Sequence, residues 1–525
     1  MALHNLALII KSSSNDDEFL LARQTRPPKF GDEEYDSYTD SDLWDLPFAP
    51  LKPMEGESNT GVIIEGAESC SEKLNFRTFG VDSAIDQILS NVGFRRPIDG
   101  HWTFWKYFEE AEFGPGPPTN TVFILGKSSS EDKSSQELFN WMSIQSCVNL
   151  LVHVKPSNDR IGPLVVAGLL TDSDQSRKWK VPATLLTQEY PPGVKIIPMG
   201  SRTAKPFHTT NLVVIAPNNV SDGSGKTSFA AYGDALIMDP GCQSEFYAEL
   251  RETITALPRK LVVFVTHHHR DHVEGLSIIQ ECNPDAILLA HENTMHRIKD
   301  DWSLGYTPIS GGEVLCIGGE RLKVIFAPGH TDGHMALLHV STHSLILGDH
   351  CVGQGSAVLD FTSGGNMKDY FQTTYNFLDL SPHALIPMHG RVNVWPKYML
   401  CGYLKNRRNR ESSILKAIES GAETLFDIVA ETYSDVNPRV WFAASSNVRL
   451  HVDHLASQDK LPKDFSVQKF QTTCGLHFLF RWIWVYLNNN VLFKNQKPWV
   501  VQLLTTIIVA AFSVFYAVKY KLSSS

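Results

Sequence analysis

Thr266-His267-His268-His269-Arg270-Asp271-His272 follows the apolar run Leu261-Val262-Val263-Phe264-Val265 and has the form T-H-x-H-x-D-H. A short apolar run of this kind reads as a buried strand. Imidazoles spaced i, i+2 leave an extended backbone on the same side, so His267 and His269 can face one cation. Asp271 and His272 then offer oxygen and nitrogen donors to a second cation beside the first. Such a density of donors points to a metal centre rather than to a solvated turn.

The pattern of apolar strand, turn and ligand-type residue recurs downstream. Val324-Ile325-Phe326-Ala327 runs into Pro328-Gly329-His330-Thr331-Asp332-Gly333-His334. Ser344-Leu345-Ile346-Leu347 runs into Gly348-Asp349-His350, and Leu385-Ile386-Pro387 into Met388-His389-Gly390. Upstream, Ala235-Leu236-Ile237-Met238 ends in Asp239-Pro240-Gly241. Glycine beside a ligand lets the backbone turn sharply and approach a metal closely.

This order of five elements resembles the metallo-β-lactamase superfamily over about residues 200–400. The resemblance implies an α/β fold, a four-layer αββα sandwich. It implies that His267, His269 and His330 hold one divalent ion, that Asp271, His272 and His389 hold a second, and that Asp349 bridges them. Asp239 and His334 would shape the loops behind these ligands. Imidazole and carboxylate donors suit two Zn²⁺ ions, with Mn²⁺ or Fe²⁺ as alternatives. Paired ions of this type share a hydroxide and polarise the oxygen under attack. Asp271 would orient that nucleophile or move its proton. The reaction class is hydrolysis of an ester, thioester, lactam or phosphodiester.

The 525 residues are enough for two to four domains. A net charge of −10 argues against a broadly basic nucleic-acid binder. The eight cysteines form no C-x-x-C pair, which predicts reduced thiols in a cytosolic environment. Leu3 to Ile10 is too short and too soon followed by acidic residues to be a secretory signal. Trp499 to Val518 is uncharged and apolar, with lysines on both sides. Its length predicts a transmembrane tail anchor, a membrane partner, and a catalytic bulk on the cytosolic face of an intracellular membrane. Residues 471–498 would be membrane-proximal; Gly475 to Leu487 contains Arg481 and reads as an interfacial or core helix.

Residues 1–195 read as a separate α+β unit. Leu6 to Ile10 and Phe19 to Ala22 are predicted to pair around Ser12 to Asp17, and Val81 to Phe94 has helical periodicity. These elements resemble a Nudix domain. Aligned on Gly93, the positions of its metal-binding carboxylates hold Asp86, Gln87, Ser90 and Asn91, so its hydrolase chemistry is expected to be lost. Val194 to Phe207 reads as a link to the domain at 196–401. Asn218 to Lys226 reads as the loop of a hairpin between strands at 212–215 and 229–232.

After the last ligand, the stretch Lys405 to Glu411 leads into helical spacing at 414–418; further helical patterns at 424–433 and 440–456 and a short wing strand at Phe465-Ser466-Val467 suggest a winged-helix module at about 402–470. Together with Gly348-Asp349-x-x-x-Gly353-x-Gly355 and the Arg407, Arg410-Glu411 cluster, this resembles the β-lactamase-like endoribonucleases. That likeness implies single-stranded RNA as substrate and phosphate contacts by Arg407 and Arg410. Asn406-Arg407 stands where that family has His-Arg, and Met388-His389 where it has Gly-His. A glyoxalase-II-like thioester or ester hydrolase is the alternative, and a binding protein with a vestigial site is a third.

Overall fold

The computed structural model describes residues 2–54, 63–66, 74–93, 101–128, 137–171, 179–217, 229–353 and 355–489. The chain divides into two compact units. The first holds residues up to Ala327 with Gly333–Gly355 and Tyr375–Cys401; the second holds Pro328–Asp332, Ser356–Thr374 and the chain from Gly402.

The first unit begins with a nine-stranded sheet built around Leu3–Lys11. This strand pairs in parallel with Thr119–Lys127 and antiparallel with Glu18–Arg23. Strand side chains alternate between faces. Leu6, Leu8 and Ile10 pack with Ala84, Ile85 and Ile88 of the helix Val81–Asn91. Ala7 and Ile9 pack on the other side with Cys147 and Leu151 of the helix Ile144–Leu151. The predicted strand pair around Ser12 to Asp17 and the helix before Gly93 are therefore both present.

Asp45 lies deep in this region. Its carboxylate accepts from the backbone N–H groups of Leu46 and Val165 at 2.8 Å and of Leu164 at 3.2 Å. Burial outweighs these donors and pushes the carboxyl up to about 7. An unfolded aspartate titrates near ~3.9, so the folded state keeps its proton longer. The stability this contributes at low pH is lost as pH rises through about 7. The wild type minus Asp45→Asn difference in unfolding free energy is expected to fall by roughly 3 kcal/mol between pH 4 and 8 in urea titrations. A difference that does not change with pH would mean that the carboxyl ionises normally.

Two further sheets face each other. The seven-stranded one runs Gln188–Glu189, Val194–Gly200, Thr209–Ile215, Ala235–Met238, Leu261–Phe264, Ile287–Ala290, Tyr306–Pro308. The six-stranded one runs Ala231–Gly233, Val314–Ile317, Glu320–Phe326, Met335–His339, Ser344–Ile346, Leu385–Ile386. Val213, Leu236, Val262 and Phe264 meet Leu315, Val324, Leu337 and Ile386 between them. The alternate residues Leu212, Val214, Ile237 and Val263 pack outward against Leu250, Ile279 and Met295 of three covering helices. The strands are apolar on both faces because both faces are covered.

Two expectations are corrected here. Val194–Gly200 is a strand buried in the seven-stranded sheet, not a link. Its charged and proline residues masked a run whose other side chains are apolar. The strands around the loop at 218–226 do not form a hairpin. Thr209–Ile215 pairs within the seven-stranded sheet, and Ala231–Gly233 pairs with Val314–Ile317 in the other. The loop itself lies outside the described residues.

Arg160 ties the N-terminal sheet to the end of the six-stranded one. Its buried guanidinium donates to the carbonyls of Ser41, His383 and Val394 and stacks over Trp395. Ala384 joins the same apolar cluster as Ile9 and Trp44.

The second unit's described residues contain helices and no strand. The helix Pro396–Glu419 enters it, followed by Leu425–Thr432, Trp441–Ser457, Val467–Thr472 and Leu476–Asn489. Thr424 caps the second of these by accepting from the Asp427 N–H. Ile428, Val448, Val452, Phe470 and Phe478 form their common core. The expected wing strand at 465–467 is instead a helix start, with the Ser466 side chain accepting from the Lys469 N–H.

The expected membrane partner and tail-anchored localisation are withdrawn. No helix among the described residues is long and apolar enough to cross a membrane. Leu476–Asn489 has 14 residues, about 21 Å at 1.5 Å per residue, against a hydrocarbon core of about 30 Å. Its Arg481 pairs with Asp427 at 2.7 Å and stacks on Phe426, and Phe478 packs in the core. The stretch 499–518, on which the expectation rested, lies outside the described residues.

Candidate metal centre

Ala235–Met238 and Leu261–Phe264 are parallel neighbours, with Met238 opposite Phe264. The residues that follow them therefore emerge at the same sheet edge. Asp239 leaves with φ 50°, an uncommon conformation for a residue with a side chain. Its carboxylate repays the strain. One oxygen accepts from the Thr266 N–H at 2.8 Å; the other accepts from the Thr266 hydroxyl at 2.6 Å and from His272 Nδ1 at 2.9 Å.

This network sets the imidazole tautomers. The Thr266 hydroxyl gives its proton to Asp239, so His267 Nδ1, 3.0 Å away, is the donor to Thr266 Oγ1. His272 Nδ1 donates to Asp239, and His389 Nδ1 donates to the Thr209 carbonyl at 2.8 Å. All three rings hold an N–H outward and turn Nε2 inward, the arrangement that outer hydrogen bonds impose on metal-ligating histidines.

The inward atoms converge. His267 Nε2 lies 2.9 Å from His269 Nδ1. Ligand atoms of His267, His269 and Asp349 fall within 4.8 Å of one another, as do those of Asp271, His272 and His389. His272 Nε2 is buried without a hydrogen-bond partner and faces the Asp349 carboxylate at 3.5 Å. His389 Nε2 lies 3.4 Å from both Asp271 and Asp349. Lone pairs facing carboxylates repel unless positive charge lies between them, so the donor set fits divalent cations. Protons show the same demand. Burial disfavours the His389 cation, yet Asp349 and Asp271 carry its imidazole up to about 10. Burial also opposes ionisation of Asp271, but His272 and His389 hold its carboxyl down at about 2.

His334 has a different place. Its Nδ1 donates to the Ala327 carbonyl at 3.1 Å, and its Nε2 accepts from the Asp349 N–H at 3.1 Å. Burial, then repulsion from His350, pushes this imidazole down to about 3. Gly348, at φ 57°, passes so near that a Cβ would meet His334 Nε2 at 2.4 Å. His334 thus holds the backbone from which the Asp349 side chain projects.

Three further histidines have local tasks. His291 caps the helix Glu292–Ile298, His339 bonds Thr342 at 2.7 Å, and buried His350 packs edge-on against Phe377. His330 belongs to the second unit, where it is buried and its carbonyl accepts from the Asp360 N–H at 3.0 Å. Arg407 and Arg410 are engaged internally. Arg407 is buried, donates to the Ala357 carbonyl and stacks over Tyr370. Arg410 donates to the Thr432 carbonyl at 2.8 Å and stacks over Tyr433 at 4.0 Å.

Sequence reading passed over two participants. Thr266 relays between Asp239 and His267, and its position as the first letter of T-H-x-H-x-D-H was the available signal. The Thr209 carbonyl orients His389 from 180 residues away, and no local pattern announces it.

Residues 231–389 match the model of the Metallo-beta-lactamase superfamily, and residues 424–465 that of the Beta-lactamase associated winged helix domain. A Beta-lactamase-like protein 2 homolog of Caenorhabditis elegans is 28% identical over 247 residues, 46% of this chain and 76% of that protein. Its Drosophila melanogaster counterpart is 28% identical over 210 residues, 38% of this chain and 69% of that protein. Among solved structures, a beta-lactamase domain protein from Burkholderia ambifaria is 18% identical, with TM-score 0.47, over 56% of this chain and 95% of its own.

Proposed function

Because residues 231–389 are a metallo-β-lactamase superfamily domain, we propose that this chain is a dinuclear metal-dependent hydrolase. The observation that carries the proposal is the inward convergence of imidazole nitrogens and carboxylates, with the rings of His267, His272 and His389 locked from behind. His267, His269 and Asp349 would hold one ion, with His330 completing that set by its place in the motif order. Asp271, His272 and His389 would hold the other, with Asp349 shared. Zn²⁺ suits these donors. Ions held there supply Lewis acidity toward water and toward the oxygen of the bond to be cleaved. The chain's own part is to fix that geometry. Asp239 and Thr266 hold the rings, His334 holds the Asp349 backbone, and Asp271 carries the proton of the attacking water away from the scissile bond.

The substrate proposed first is single-stranded RNA, on the likeness of the ligand order and the winged-helix module to β-lactamase-like endoribonucleases. A small thioester or ester is the second reading. It is favoured by the inward engagement of Arg407 and Arg410, which leaves the expected phosphate contacts without their donors. The N-terminal sheet is proposed as a Nudix-like scaffold without hydrolase chemistry, since Gln87, Ser90 and Asn91 cannot replace glutamates on the helix Val81–Asn91.

The test uses the full chain with metal content quantified, offered labelled single-stranded RNA and S-lactoylglutathione in parallel. Dialysis against a chelator is expected to abolish turnover, and about two equivalents of Zn²⁺ to restore it. RNA cleavage supports the first substrate, and thioester turnover alone supports the second. Turnover that survives complete metal removal would overturn the metal-dependent reading.

A further inference from the structure

Three side-chain oxygens surround His389 Nε2 at one distance. Asp271 Oδ2, Asp349 Oδ1 and Thr203 Oγ1 each lie 3.4 Å away. The carboxylates have a place in the metal centre; the hydroxyl has none assigned.

Thr203 sits on the loop between the strands Val194–Gly200 and Thr209–Ile215. The loop is anchored at its ends. The Ser201 N–H donates to the His208 carbonyl at 3.0 Å, and Gln243 Nε2 donates to the Ser201 carbonyl at 2.7 Å. Its one buried aromatic, Phe207, packs 5.7 Å from the His389 ring. Phe207 fits only because two neighbours are glycines: a Cβ at Gly114 would lie 2.8 Å from its ring, and one at Gly390 3.2 Å. The hydroxyl is thus presented by a packed support, while Thr203 itself is only half-buried and faces the centre.

His389 Nδ1 donates to Thr209, so the neutral ring's lone pair is on Nε2. At 3.4 Å the Thr203 hydroxyl is at the outer limit of a hydrogen bond to it. A cation that takes this lone pair leaves the hydroxyl needing another acceptor. With divalent ions seated beside Asp271 and Asp349, the centre draws an anionic oxygen, and the neutral Thr203 O–H adds a directed donor for it.

We propose that the Thr203 hydroxyl hydrogen-bonds an anionic oxygen of the substrate at the centre, and that Phe207 positions the loop that carries it. This rests on the metal-hydrolase reading above. The test compares Zn²⁺-loaded full-length wild type, Thr203→Val and Thr203→Ser by calorimetric titration with inorganic phosphate, with metal content measured in each sample. The valine variant is expected to keep its metal and bind phosphate roughly tenfold more weakly, and the serine variant to stay within about twofold of wild type, because its hydroxyl survives. Unchanged phosphate affinity in the valine variant overturns the assignment, as does a wild type that loads metal but binds no phosphate. Loss of metal from the valine variant also overturns it, making the hydroxyl part of the metal-holding set. A wild type that takes up no divalent ion defeats the hydrolase reading itself, an outcome the metal measurement separates from the others.

Discussion

Replacing Asp271 by alanine is expected to lower hydrolysis by ~10³-fold, with the unfolding temperature within a few degrees of wild type. The carboxylate stands 3.4 Å from His389 Nε2 and 3.9 Å from His272 Nε2, so its loss removes a donor and a proton acceptor together. It belongs to none of the apolar clusters that hold the two sheets together. The carboxylate also faces buried imidazoles, so removing it relieves no strain and opens no apolar cavity. The measurement is turnover and bound metal in the same preparation, with His269→Ala in parallel. Bound metal should fall toward one ion per chain, and far-ultraviolet circular dichroism should not move. Full activity in Asp271→Ala would exclude a dinuclear mechanism in which this residue takes part.

Gly241→Ala is expected to act the opposite way, through the fold. A Cβ at Gly241 would lie 1.6 Å from the Asp271 carbonyl oxygen and 2.4 Å from the His272 nitrogen. These are backbone atoms, so no side chain can swing aside. Gly275 N–H also donates to the Pro240 carbonyl at 2.7 Å, which pins the same crossing from below. Overpacking of a core commonly costs ~1–3 kcal/mol, and a contact this short against fixed backbone should reach the upper end or exceed it. Because the displaced segment carries Asp271 and His272, metal content should fall with stability. Equilibrium urea unfolding and metal analysis of one preparation check both. A variant with wild-type stability and full metal content would show that the two turns are not in contact.

Much of the candidate centre was legible because its residues follow strands. Asp239, His267, Asp349 and His389 each come after a short apolar run, and the pairing of those runs puts their ends at common edges. The helices at 425–432 and 441–457 were legible in the sequence, the second from the stripe of Val448, Val452 and Leu455. What escaped was whatever depends on tertiary partners. Val194–Gly200 carries Lys195 and Pro198 and reads as a link, yet it is a sheet strand paired along its length with Thr209–Ile215. Arg407 and Arg410 look like phosphate binders in a basic run, but Tyr370, Tyr433 and two carbonyls take them up. The twenty uncharged residues at 499–518 suggested a membrane span from composition alone, and no described helix meets that need.

The guanidinium of Arg160 has a consequence for biosynthesis. Two of its carbonyl acceptors, on His383 and Val394, lie 223 and 234 residues later in the chain. At ~5–20 residues per second, a ribosome needs roughly 10–50 s to supply them. Through that interval the arginine has only the nearby Ser41 carbonyl, and the first sheet exposes the apolar surface that Ala384 later covers. These contacts of the N-terminal sheet therefore close only after residue 394 has emerged. By then translation has passed His389, so this tie and the candidate centre are completed at nearly the same point of synthesis.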